Sequence, residues 1–114
     1  MCIRDRVKTL TEQTRQDNAR FFGGDVEAVP RHVLTQGLGT ILRAEHLVLV
    51  ATGEHKAAPL AAAVEGPVTA SCPASVLQLH PHVTVVVDEA AGSRLERADH
   101  YRYVLEHKLA EQGW

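Results

Sequence analysis

The sequence predicts an α/β fold in which a parallel sheet is covered by helices. Two runs, 46–52 and 82–87, are apolar almost throughout, as strands buried on both faces of a parallel sheet are. Helical patterns separate and follow them, so strands and helices alternate. Gly53 and Gly66-Pro67 punctuate the chain where strand and helix patterns end.

Taken in order, Val7 to Leu10 alternates apolar and polar and reads as a short strand. Thr11 can cap a helix that runs through Asn18 to Phe22 and stops at Gly23-Gly24-Asp25. Residues 26–30 form a loop, and His32 to Thr35 a second short strand. Gly37-Leu38-Gly39-Thr40 opens a helix through Ile41, Leu42 and Ala44. His46 to Thr52 is a buried strand, and a helix follows over 56–65, with Pro59 near its start, where a missing N–H is tolerated. Ala74 to His80 is a short helix with Pro73 in its first turn. His82 to Val87 is the second apolar strand, and Leu95 to Leu109 a final helix with a charged, solvated face. The opening Met-Cys-Ile-Arg-Asp-Arg has no cap, period or turn chemistry, so residues 1–6 read as a non-native leader and 7–114 as part of one domain.

A chain of 114 residues is one domain or less. Hydrophobic residues make up 45%, enough for a core, but aromatics only 4%, so packing rests on Val, Leu and Ala. Few aromatics and a net charge of −2 argue against a nucleic-acid or anionic-membrane surface. No apolar run is long enough to span a bilayer. Cys2 and Cys72 form no Cys-x-x-Cys, which supports neither a disulfide framework nor a structural zinc site and fits reduced thiols in the cytoplasm.

Val48-Leu49-Val50-Ala51-Thr52-Gly53-Glu54-His55-Lys56 carries the sharpest chemical signal. A strand, a tight turn and a helix start bearing a lysine make an anion site, because free N–H groups, the helix dipole and the ammonium all favour negative charge. A solvated surface lysine is the plainer alternative. Arg20, beside Phe21-Phe22, can present a bidentate fork to phosphate. Gly37-x-Gly39 lacks the third glycine of a dinucleotide fingerprint, since Leu42 stands there, and suits close backbone packing. His80-Pro81-His82 has no carboxylate or cysteine at ligand spacing, so no metal is expected. Asp88-Glu89, at the end of an apolar strand, reads either as an acid–base pair or, with more weight, as a helix cap or loop tie.

Together these strings resemble the C-terminal portion of glucosamine-6-phosphate deaminase. The resemblance rests on Val7-Lys8-Thr9-Leu10-Thr11, Asn18-Ala19-Arg20-Phe21-Phe22, Leu34-Thr35-x-Gly37-x-Gly39-Thr40 and Lys56-Ala57 leading to Ala63-Val64-Glu65-Gly66. Ser75-x-Leu77-Gln78-Leu79-His80-Pro81 and Asp88-Glu89 complete it. It implies a Rossmann-like sheet of which the N-terminal half is missing. It implies conversion of glucosamine 6-phosphate and water to fructose 6-phosphate and ammonia, without a cofactor, in a cytoplasmic homo-oligomer. Arg20 and Lys56 match the family's phosphate-holding groups. Arg6, Lys8 and Thr9 match a segment that, with a late tyrosine here assigned to Tyr103, forms a site for the effector N-acetylglucosamine 6-phosphate in allosteric members. The family's catalytic acid–base residues match nothing in this chain, so the chain by itself is expected to be inactive. Two other classes share parts of the pattern: a 6-phosphogluconolactonase-like hydrolase, and a sugar-phosphate sensor domain of a transcription regulator.

Overall fold

In the computed structural model, residues 3–112 are described, and they fall into two units, 3–40 and 41–112. Cys2 lies outside the described residues.

In the first unit, strand β1 (Arg6–Thr9) pairs antiparallel with β2 (His32–Thr35), Arg6 opposite Thr35 and Thr9 opposite His32. Helix α1 (Glu12–Asn18) begins as the sequence predicts: the Thr11 hydroxyl accepts the Thr14 N–H at 3.2 Å and caps it. A 3-10 turn, Ala19–Phe22, continues the helix and ends at Gly23 in the left-handed conformation. Arg15 is buried beneath this helix, where its guanidinium donates to the carbonyls of Val26 (2.7 Å) and Val29 (3.4 Å). Glu12 and Glu27 flank it at 3.3 and 3.5 Å. The loop over 26–30 is thus held by a cation in place of secondary structure.

Residues 3–5 are tied into this unit. Asp5 accepts the Gly37 N–H (2.6 Å) and the Thr40 hydroxyl (2.8 Å), and Ile3 C=O accepts the Gly39 N–H at 3.0 Å. A β-carbon on Gly37 would collide with the backbone of Ile3 and Arg4, which confirms the close approach read from the glycines. Helix α2 (Leu38–Ile41) is shorter than predicted, because Ala44 N–H folds back on Ile41 C=O at 3.1 Å.

In the second unit, β3 (Leu47–Ala51) and β4 (Val83–Val87) pair in parallel, as expected, with Leu47 opposite Val83 and Ala51 opposite Val87. Between them run α3 (Ala57–Val64) and a 3-10 segment, Pro73–Leu79, where a short helix was predicted. Ala57, Leu60, Ala63, Val76 and Ala91 form the core, a small-residue packing in keeping with the shortage of aromatics. Burial along β3 alternates: Leu47, Leu49 and Ala51 are half-buried, whereas Val48 and Val50 are 63% and 65% exposed. The expectation of a strand buried on both faces is corrected on this point, because helices cover only one face here.

Polar ties organise the crossover. The buried Ser75 hydroxyl donates to Cys72 C=O (2.6 Å) and accepts the Thr69 N–H (2.9 Å). Gln78 Nε2 donates to Ala63 C=O (2.9 Å) and Gly66 C=O (2.8 Å), closing the C-terminus of α3. His80 bridges Ala44 C=O through Nε2 (2.7 Å) and the His82 N–H through Nδ1 (3.1 Å). After β4 comes a one-turn helix, α4 (Glu89–Gly92), then α5 (Ala98–Glu106). The final helix starts later than Leu95 because the Glu65 carboxylate takes the Glu96 and Arg97 N–H groups at 2.8 and 2.9 Å. It ends before Leu109 because the His107 ring caps Tyr103 C=O at 2.8 Å. Among the described residues no helix is long and apolar enough to cross a membrane.

Candidate functional site

The candidate site is the turn at the C-terminal end of β3. Thr52 and Gly53 leave the sheet, a 3-10 turn (Glu54–Lys56) follows, and α3 begins at Ala57. Gly53 has φ 87° and ψ 150°, a conformation close to glycine-only. This reverses the chain so that Lys56 N–H reaches Gly53 C=O at 3.0 Å. Lys56 then occupies the N-cap position of α3, exposed, with no side-chain cap on the helix. The 3-10 turn runs straight into α3, the Lys56 and Ala57 N–H groups bonding the Gly53 and Glu54 carbonyls, so Lys56 adds an exposed positive charge to the first turns of this helical segment, where negative charge is favoured.

Asp88 holds this turn from the neighbouring strand. The parallel register sets Asp88, just past β4, beside the turn that follows β3. Its carboxylate accepts the Gly53 N–H at 2.9 and 3.1 Å and the Ala91 N–H at 2.7 Å. The N–H of Ala91, then that of Gly53, hold the Asp88 carboxyl below the usual aspartate range, with a further contribution from the charge of His55. Asp88 is a helix cap and a turn tie, so the sequence's weightier alternative is the observed one. Glu89 instead points to Arg102, at 3.2 Å.

The other sequence-predicted residues lie as follows. Arg20 is in the first unit, exposed, with its guanidinium 4.7 Å from the centre of the Phe21 ring, so its plane is supported by an aromatic as the sequence suggested. Arg6, Lys8 and Thr9 lie on β1 and are exposed. Arg6 and Lys8 share a face, and Thr9 takes the other. Tyr103, in the second unit, is 60% exposed and stacked on His107 at 4.1 Å. Among the described residues no cluster of His, Cys, Asp or Glu is arranged to hold a metal. Cys72 is a free, half-buried thiol.

Sequence reasoning missed the ties made by Arg15, Glu65, Gln78 and His80. Gln78 and His80 stand in a string that carried the resemblance, and their roles here are structural. Glu65 also accepts a bond from the Tyr101 hydroxyl, which helps to keep its carboxyl below the ordinary value of 4.5, after the Glu96 and Arg97 N–H groups.

By geometry this is an α/β chain with an exposed lysine in the turn that follows a parallel strand. No protein-family profile matches it. Among curated proteins it is similar to glucosamine-6-phosphate deaminase of Streptomyces coelicolor, 68% identical over 113 residues, 99% of this chain and 43% of that protein. The Bifidobacterium longum enzyme of the same name is 60% identical over 108 residues, 95% of this chain and 40% of that protein. Among solved structures, a monomeric glucosamine-6-phosphate deaminase described as a missing link of the NagB superfamily matches with a TM-score of 0.74 and 43% identity. That match covers 80% of this chain and 37% of the other. The chain thus spans about two-fifths of the length of the curated relatives it matches, and the resemblance carried by the short strings extends over nearly all of it.

Proposed function

We propose that this chain is the C-terminal portion of a glucosamine-6-phosphate deaminase, and that Lys56 and Arg20 hold the phosphate of glucosamine 6-phosphate. The reaction is hydrolytic, yielding fructose 6-phosphate and ammonia, and takes place in the cytoplasm. The observation that carries this reading is the Gly53 turn, which sets an exposed Lys56 at the start of α3 in a chain 68% identical to a protein of that name. Phosphate lies far from the reacting carbons of the sugar. Its binding energy serves to orient the open chain against acid–base groups that match nothing in these residues. The chain alone is therefore expected to release no ammonia from glucosamine 6-phosphate. In the same reading Arg6, Lys8, Thr9 and Tyr103 contribute to a site for N-acetylglucosamine 6-phosphate in a homo-oligomer.

The test uses the complete enzyme. A charge-assisted contact to phosphate is worth about 1.5–3 kcal/mol, so Lys56→Ala or Arg20→Ala should lower kcat/KM roughly ten- to two-hundred-fold. The loss should be far smaller with unphosphorylated glucosamine. Equal losses on the two sugars would show that these residues serve the fold and not the phosphate.

A further inference from the structure

We propose that Asp88 is a positioning residue for Lys56, acting through the Gly53 turn. The inference rests on the phosphate reading of Lys56. Asp88 follows β4 whereas the lysine follows β3, and the connection between them is two hydrogen bonds long. Both carboxylate oxygens face the Gly53 N–H, at 2.9 and 3.1 Å, and the Gly53 C=O takes the Lys56 N–H at 3.0 Å. One side chain therefore fixes the amide on the strand side of the Gly53 α-carbon, and the carbonyl that starts the turn lies on its other side.

That anchor is needed because Gly53 has no side chain and its own conformation is permissive. Left to itself, Gly53 could turn about its φ and ψ, so that the Gly53–Glu54 peptide, whose carbonyl the Lys56 N–H depends on, would shift relative to the end of β3. Asp88 is in turn immobilised by the Ala91 N–H at 2.7 Å, and α4, which it caps, packs on both the Glu54–Lys56 turn and α3. The carboxylate thus ties the two strand ends to one another and sets where the ammonium stands. A cap alone needs one oxygen facing Ala91. The second oxygen and its bond to a residue 35 positions away are what a cap does not explain.

Serine separates the two roles. In Asp88→Ser a single hydroxyl remains, able to cap α4 through Ala91 but not to hold Gly53 as well. In the complete enzyme, Asp88→Ser should still melt in one cooperative transition, at a temperature lowered by the loss of the Gly53 bonds. It should lower kcat/KM for glucosamine 6-phosphate about five- to twenty-fold and weaken competitive inhibition by inorganic phosphate by a similar factor. Combined with Lys56→Ala, it should add less than about two-fold to the loss, because the group it positions is gone. If Asp88→Ser does not fold, Asp88→Asn serves. It keeps Oδ1, which accepts from Ala91 at 2.7 Å and Gly53 at 3.1 Å, but puts an NH2 that cannot accept where Oδ2 holds Gly53 at 2.9 Å, so a partial loss of hydrogen-exchange protection at the Gly53 amide should accompany a smaller drop in phosphate inhibition.

Parental phosphate inhibition in Asp88→Ser, or losses that multiply fully with those of Lys56→Ala, would overturn the inference while leaving the phosphate reading intact. Parental phosphate inhibition in Lys56→Ala would instead remove the phosphate reading, and the positioning role with it.

Discussion

Replacing Gly53 with alanine tests the geometry of the candidate site most directly. At φ 87° and ψ 150° an L-residue is strained by about 1–3 kcal/mol. The new β-carbon would also lie 3.0 Å from Cε1 and Nδ1 of the His55 ring. His55 is exposed and flexible, so its ring can swing aside, and this steric share is the smaller one, about 0.5–1.5 kcal/mol at most. The backbone share has no such outlet unless the turn reshapes, which gives up the Gly53 bonds to Asp88 and Lys56. Gly53→Ala should therefore cost the complete enzyme about 1–3 kcal/mol, read as a lower urea midpoint at unchanged slope. Adding His55→Ala should restore only the steric part. If reshaping is the cheaper route, stability falls less but kcat/KM for the phosphorylated sugar falls with it. A variant that keeps both the urea midpoint and kcat/KM would refute the claim that this turn needs glycine.

Further outcomes are expected elsewhere. Arg15→Met keeps the aliphatic stem but leaves the Val26 and Val29 carbonyls without their buried donor, so the first unit should lose about 2–4 kcal/mol and amide exchange over 26–29 should quicken. Unchanged exchange there would refute the role given to Arg15. The Glu65 carboxyl is held below 4.5 in the folded chain, so its stabilisation is complete above that pH and is lost as pH falls through the folded value. Acid should therefore loosen the start of α5, and Glu65→Gln should flatten that response, as followed by amide shifts of Glu96 and Arg97. Lys8→Ala in the complete enzyme should weaken activation by N-acetylglucosamine 6-phosphate and spare the maximal rate. An unchanged activation curve would remove Lys8 from that role.

What was legible in the sequence was local. Thr11 ahead of a helical pattern and Gly23 behind it announce their roles through short-range hydrogen bonding and a permitted positive φ. The two valine-rich runs declare parallel strands by their composition, and the Gly53–Lys56 turn is visible because strand, glycine and helix follow one another directly. What depended on distant partners was hidden. β1 and β2 are four residues each and pair antiparallel, but strands so short carry no pattern that distinguishes this from a parallel arrangement. Arg15 looks like any solvated helix arginine until the carbonyls of 26 and 29 fold over it. Asp88 could be read as a cap, but its bond to Gly53 follows only from the register of β3 with β4. The valines at 48 and 50 look buried because apolarity reports a preference, while exposure depends on what else is present.

The His80 bridge has a consequence for how the second unit assembles. Ala44 and His80 are 36 residues apart, and closing a loop of that length costs on the order of 3 kcal/mol in chain entropy. Much of the loop is also ordered by bonds of shorter range, from the Ser75 hydroxyl to the Gln78 amide. The ring then stands just ahead of both strands, where Leu47 N–H meets His82 C=O at 2.9 Å. A slip of one residue from there would turn Val48 and Val50 towards the helices and expel Leu47 and Leu49. His80 thus holds the register from outside the sheet, and its removal should be felt as slow or misregistered folding as well as in the finished structure.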